Sequence, residues 1–144
     1  MTPQQVAAVQ STWERVVPIS DTAASLFYGR LFALDSKLAP MFPADMTEQR
    51  RRVMTMIGVA VRGLTRIDTL VPVLRNLGAR HAGYGVRDEH YALVGAALLW
   101  TLEQGLGPAF TDEAREAWTV AYGVIATTMQ EGALEASSSD RLAA

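Results

Sequence analysis

A chain of 144 residues, 49% hydrophobic and 19% charged, is long enough to bury one sizeable core and reads as a single domain. Its formal net charge of -2 gives no electrostatic case for nucleic acid or an anionic membrane, and the absence of cysteine removes disulfides, thiolate metal sites and a cysteine nucleophile. The start, MTPQQVAAVQ, lacks the basic and apolar runs of a secretory leader, and no apolar segment reaches about 18 residues without charge or proline, so a cytoplasmic chain is expected.

The pattern is helical throughout. Thr2-Pro3-Gln4-Gln5 has the form of a capping box with proline in the first turn, and Val6, Val9, Trp13 and Val16 follow on one face. Pro18 interrupts, and Ser20-Asp21 are the expected cap of a second helix, on which Ala24, Phe27, Tyr28 and Leu31 share a stripe. LDSKLAPMFP carries two prolines and is expected to be a turn region. From Met46 the inward positions recur as Gln49, Val53, Ile57, Ala60 and Leu64, with the arginines of EQRRR on the flank.

Asp68-Thr69 are expected to cap the next helix, whose stripe is Leu70, Val73, Leu74 and Leu77, up to a break at Gly83 and Gly85. Asp88 is the expected cap of a fifth segment, EHYALVGAALLWTLEQ, apolar nearly all round and therefore central. After Gly105, Gly107 and Pro108, Thr111 caps a last helix with Ala114, Trp118, Ala121, Tyr122, Ile125 and Met129 inward. The end, EASSSDRLAA, is small and polar and reads as a frayed tail. No internal repeat or alternating strand pattern is present, so the chain is an all-α domain of six or seven helices.

The only two histidines differ in setting. His81 continues the stripe of Leu70, Leu74 and Leu77, whereas His90 sits beside Arg87, Asp88 and Glu89 in the first turn of a helix, the place of a surface or cap residue. An imidazole on an apolar stripe needs a hydrogen-bond partner, a charge or a metal. A core histidine bonded to a backbone carbonyl and a metal ligand both remain open on this ground. Zinc would need further ligands, and the HExxH pair is missing. One imidazole suffices when a porphyrin brings four nitrogens of its own.

Three stretches, FYGRLFALDSKLAPMF, LVPVLRNLGARHAGYGVRDEHYALVG and AWTVAYGVIA, in this order and separation, resemble the globin family. Within that family the chain resembles bacterial single-domain haemoglobins and the haem domains of flavohaemoglobins, from about residue 5 to residue 130. The resemblance implies a globin fold of six to eight helices around a haem pocket, with 1–134 as the haem-binding domain and 135–144 as a flexible tail. It implies haem b (iron protoporphyrin IX) as cofactor, with His81 as the proximal axial ligand and Phe42 wedged against the porphyrin face. Val53, Ile57, Leu77, Arg80, Val86, Tyr91 and Val94 are implied to line the cofactor, and Tyr28 and Gln49 to stabilise a bound ligand on the distal side. A register different by one residue would turn Glu48 or Arg50 inward in place of Gln49.

Tyr91 and Tyr122 match tyrosines that flavohaemoglobin-type domains place near the axial histidine. Plain core packing is the other reading of both. Those domains also send a glutamate from the last helix to that histidine. Here the ungapped match is Ala133, with Glu131 and Glu135 two residues to either side, a departure that favours oxygen storage or delivery over O–O cleavage. Arg50, Arg51, Arg52, Arg80 and Arg87 are read mostly as a solvated face, with propionate pairing or reductase docking as the functional alternative.

The resemblance therefore implies reversible binding of dioxygen, and of CO or NO, at ferrous iron in a monomer or homodimer. The alternatives are a nitric oxide dioxygenase served by a separate reductase, a haem-based gas sensor, and a haem-free signalling module. No attached flavin or nicotinamide domain is expected, and GYGVRD fails the GxGxxG pattern because Asp88 stands at the third glycine. No serine elbow, P-loop or inward carboxylate pair suggests a hydrolase.

Overall fold

The first helix begins where the Thr2–Gln5 spacing puts it. In the computed structural model, which describes the backbone of residues 1–143 and the side chains of residues 1–136, the Thr2 hydroxyl accepts the Gln5 N–H at 3.1 Å. The Gln5 carboxamide oxygen accepts the Thr2 N–H at 2.9 Å, so two early donors of the helix are satisfied reciprocally. That helix, α1 (Pro3–Val16), is followed by α2 (Ser20–Leu34), α3 (Thr47–Gly63), α4 (Ile67–Gly83), α5 (Asp88–Leu106) and α6 (Asp112–Ala143). Short 3-10 turns at Val17–Ile19, Ser36–Met41, Leu64–Arg66 and Gly107–Ala109 connect them, and the described residues contain no strand. Residue 144 and the side chains of 137–144, most of the expected tail, lie outside the described residues.

Three helix starts differ from the sequence expectation. Ile19, not Ser20 or Asp21, stands at the N-cap of α2, and Arg66, not Asp68 or Thr69, at that of α4. Both helices run on directly from a 3-10 turn without a side-chain cap, and at α2 the Ser20 N–H donates to the Val17 carbonyl of that turn. Thr69 points its hydroxyl back to the Arg66 carbonyl at 2.7 Å. At α5 the cap is Arg87 rather than Asp88, and its backbone N–H donates to His90 Nδ1 at 2.9 Å. The expected Thr111 cap is present, accepting the Ala114 N–H at 3.1 Å.

α4 packs chiefly on α6, α2 on α5, and α1 on α6, with the core where these three pairings meet. Leu74, Leu102, Val9 and Val61 are the largest wholly enclosed side chains, each worth roughly 1.5–3 kcal/mol against exposure. Trp118 is buried too. Its indole N–H donates to the Thr12 hydroxyl at 2.8 Å, and that hydroxyl donates to the Ala8 carbonyl at 2.6 Å. Trp13 lies beside it, ring centroids 6.1 Å apart, so α1 and α6 are locked by two indoles and one threonine. Trp100 is half-buried under the Arg30 guanidinium, 5.1 Å from the ring centroid. None of the helices, over the residues described, is long and apolar enough to cross a membrane.

Candidate functional site

α2, α3 and the Ser36–Met41 turn bring four aromatic rings and one amide together. Tyr28 lies on the buried stripe of α2, 6% exposed, with Phe27 edge-on at 5.0 Å, Phe42 edge-on at 5.4 Å and Phe32 at 5.9 Å between centroids. Phe42 follows the turn in an extended conformation and packs half-buried against the core, 5.5 Å from the Phe32 ring. A phenol in such surroundings must find a polar partner, and from the first turn of α3 the Gln49 carboxamide donates to its oxygen at 3.2 Å. Burial pushes the Tyr28 pKa up, and the Gln49 hydrogen bond opposes that only in part. Tyr28 therefore keeps its proton, and with its oxygen already accepting from Gln49 the O–H is free to donate elsewhere.

Of the three residues that could have faced inward here, it is Gln49 that reaches Tyr28. Glu48 is exposed and pairs with Arg51 at 3.2 Å, and Arg50 is half-buried. Val53 and Ile57 follow Gln49 at four-residue steps along α3, both half-buried against the core.

His81 sits in the last turn of α4, half-buried, one turn beyond Leu77. Its Nδ1 lies 2.8 Å from the Leu77 carbonyl oxygen. A carbonyl can only accept, so Nδ1 carries the hydrogen, and Nε2 has no hydrogen-bond partner among the described residues. The bond to a backbone carbonyl is the one expected of a core histidine, yet it leaves the opposite nitrogen open as a metal ligand would need it. Tyr84, 71% exposed, is the nearest ring at 6.2 Å.

Leu77, Tyr91 and Val94, like Phe42, Val53 and Ile57, are only partly covered, and Val86 is half-buried while Arg80 is exposed. Among the described residues no group of three or more His, Asp or Glu side chains could hold an ion alone. A flat apolar group carrying its own metal and needing one more nitrogen fits this donor set; a bare cation does not. Two surface depressions are present, the first bordered by Val86. One of about 560 Å³ runs between the start of α5 and α6 past Arg87, Thr127 and Gln130, and another of about 380 Å³ lies beside Lys37, Met41 and His90. Neither is lined by His81, Tyr28 or Gln49.

The two tyrosines expected on the proximal side are joined through the main chain. The Tyr122 hydroxyl donates to the Tyr91 carbonyl at 2.6 Å, and its ring lies over Gly95, where an added Cβ would stand 2.7 Å from it. Burial raises the pKa of both phenols, with Asp88 adding to the rise at Tyr91 and Tyr91 to that at Tyr122. The two α6 glutamates that flank Ala133 are engaged elsewhere among the described residues. Glu131 and Glu135 both pair with Arg75 on α4, the first at 3.1 Å. Sequence reading did not find that clasp, nor the Thr12–Trp118 bond; partners 56 to 106 residues apart leave no local spacing signal.

A family model described as Globin matches residues 25–129 of this chain. Neuroglobin of Danio rerio is 31% identical to it over 138 residues, covering 86% of this chain and 87% of that protein. Neuroglobin of Tetraodon nigroviridis is 29% identical over the same shares of both chains. Among solved structures, a bacterial globin from Campylobacter jejuni superposes with a TM-score of 0.83 at 24% identity, covering 93% of this chain and 97% of the other. An engineered carbene transferase made from a Rhodothermus marinus protein, whose name carries nitric oxide dioxygenase as a suggestion, gives 0.85 at 20% identity over 96% of both. At such identities the two structures speak for the fold alone.

Proposed function

This chain belongs to the globin family, and from that premise we propose that it holds haem b through His81 and binds dioxygen, and also CO or NO, reversibly for storage or delivery. Haem when bound supplies the iron at which a diatomic gas is held; everything else is done by side chains of this chain. His81 offers Nε2, and the bond from its Nδ1–H to the Leu77 carbonyl fixes which nitrogen is offered and how the ring is turned. The partly covered Phe42, Val53, Ile57, Leu77, Val86, Tyr91 and Val94 would provide an apolar surface that keeps water from the metal, and the exposed Arg80 would pair with an anionic substituent of the haem.

Tyr28 would donate its O–H to a bound gas that draws negative charge, and Gln49 holds the phenol oxygen in position. The observation that carries this reading is the imidazole of His81, whose Nδ1 is bonded to the Leu77 carbonyl and whose other nitrogen has no partner among the described residues. Reversible binding is preferred to enzymatic turnover because Arg75 engages both glutamates that α6 could have sent toward His81. An imidazole bonded to a neutral carbonyl donates less electron density than one bonded to a carboxylate.

The test is optical. Ferrous protein loaded with haem should bind and release dioxygen and CO without net consumption. Given nitric oxide and a reducing system, it should react once and then stall unless a separate reductase is present. Sustained nitric oxide consumption with dithionite-free chemical reductants alone would move the assignment to a dioxygenase.

A further inference from the structure

α4, the helix that carries His81, meets α6 backbone to backbone. A Cβ added at Gly78 would overlap the Met129 carbonyl group, and one added at Gly132 would overlap the Arg75 carbonyl group. Each glycine therefore seats the main chain of the other helix, and on both helices the two contact points are three residues, nearly one turn, apart. Both glycines are buried. The same turn is tied from outside by Arg75, whose guanidinium reaches across Gly132 to Glu131 and Glu135 on either side of it.

The position of this crossing relative to His81 is what gives it consequence. The carbonyl that accepts from His81 Nδ1 belongs to Leu77, and it is half of the peptide unit joining Leu77 to Gly78. One peptide thus orients the imidazole and forms the seat of α6. Close-packed interiors transmit a backbone displacement rather than absorb it, so any change in the separation of α4 and α6 moves the acceptor of the imidazole N–H.

We infer that the Gly78–Gly132 crossing is a positioning device for His81, setting through the Leu77–Gly78 peptide where the imidazole stands and how it is turned. Arg75 with Glu131 and Glu135 holds the register of the two helices. These ion pairs are too exposed to add much stability alone. The inference rests on the reading of His81 as the axial ligand.

The experiment uses the haem-loaded ferrous protein and reads the iron–imidazole stretching band by resonance Raman, alongside the thermal midpoint. Gly132→Ala should shift or broaden that band. The double substitution Glu131→Gln with Glu135→Gln, which adds no bulk, should shift it in the same direction by less, and decides the matter if Gly132→Ala does not fold. Gly123→Ala, also on α6 but with open space around an added Cβ, should leave it unchanged. An unchanged band in both test variants, whatever happens to the midpoint, overturns the inference, because a merely structural crossing would change stability alone. A wild-type protein that takes up haem but shows no iron–imidazole band overturns the axial reading itself, and the inference with it.

Discussion

Replacing Tyr28 with phenylalanine removes one oxygen from a site where the rest of the ring is held by three aromatic neighbours. The fold should tolerate the change, since the volume is nearly conserved. The hydroxyl lies in a largely dry place, and a hydrogen bond from it to a gas carrying partial negative charge is worth about 1–2 kcal/mol, or roughly 5- to 30-fold in the rate of ligand loss. Gln49→Leu should act differently. One of its two amide hydrogens is given to the Tyr28 oxygen at 3.2 Å, so its main expected effect is to steady the phenol, and its loss should cost about half as much in free energy. In the Tyr28→Phe background the Gln49→Leu substitution should then cost little further, giving a coupling of about 0.5–1 kcal/mol in a double-mutant cycle. Stopped-flow displacement of dioxygen by CO measures all four rates. An unchanged rate for Tyr28→Phe removes Tyr28 from the mechanism, and equal Gln49→Leu effects in both backgrounds show two independent contacts.

Thr12→Val should leave the Trp118 indole N–H buried without an acceptor, costing about 1–3 kcal/mol and lowering the thermal midpoint by several degrees, as a calorimetric scan would record. Alkaline titration should expose the buried phenols. Tyr28, Tyr91 and Tyr122 all have pKa values raised on folding from 10.0, so the folded state binds their protons more tightly than the unfolded state. Stability is therefore full below about pH 10 and falls above it, by at most roughly 1.4 kcal/mol per pH unit for each phenol. Tyr122→Phe should make that decline shallower in urea unfolding curves taken from pH 9 to 11; an identical slope would show that Tyr122 titrates as it does in the unfolded chain. Leu74→Ala, at the centre of the α4 face, should cost about 2–5 kcal/mol in the same curves, and a loss below 1 kcal/mol would place it outside the core.

What the sequence could reveal was whatever has a short period. The Thr2–Gln5 box, the Thr111 cap and the stripe of Ala24, Phe27, Tyr28 and Leu31 are local patterns, and each stands where its spacing put it. The starts of α2 and α4 were not legible because Ser20 and Asp68 are good caps in isolation, and only the preceding 3-10 turns make them unnecessary. His90, read as a surface or cap residue, does accept the N–H of the residue that caps α5. The Tyr28–Gln49 bond and the orientation of His81 join residues whose nearness depends on how helices cross, and helical periodicity is silent about crossings. Gly78 carried a weak signal. It lies four residues after Leu74 on a buried stripe, where a glycine marks close approach of another backbone, but nothing local names Gly132 as its partner.

The central claim is that the open nitrogen of one histidine is the attachment point of the cofactor, and replacing that histidine tests it most directly. His81→Gly, loaded with haem and examined by absorption and resonance Raman, should lose the iron–imidazole band and bind haem more weakly. Free imidazole added to the buffer should restore the spectrum by occupying the vacated space. A variant whose spectrum matches the wild type without added imidazole would show the metal held from elsewhere, and the site described around Tyr28, Gln49 and His81 would have to be given up.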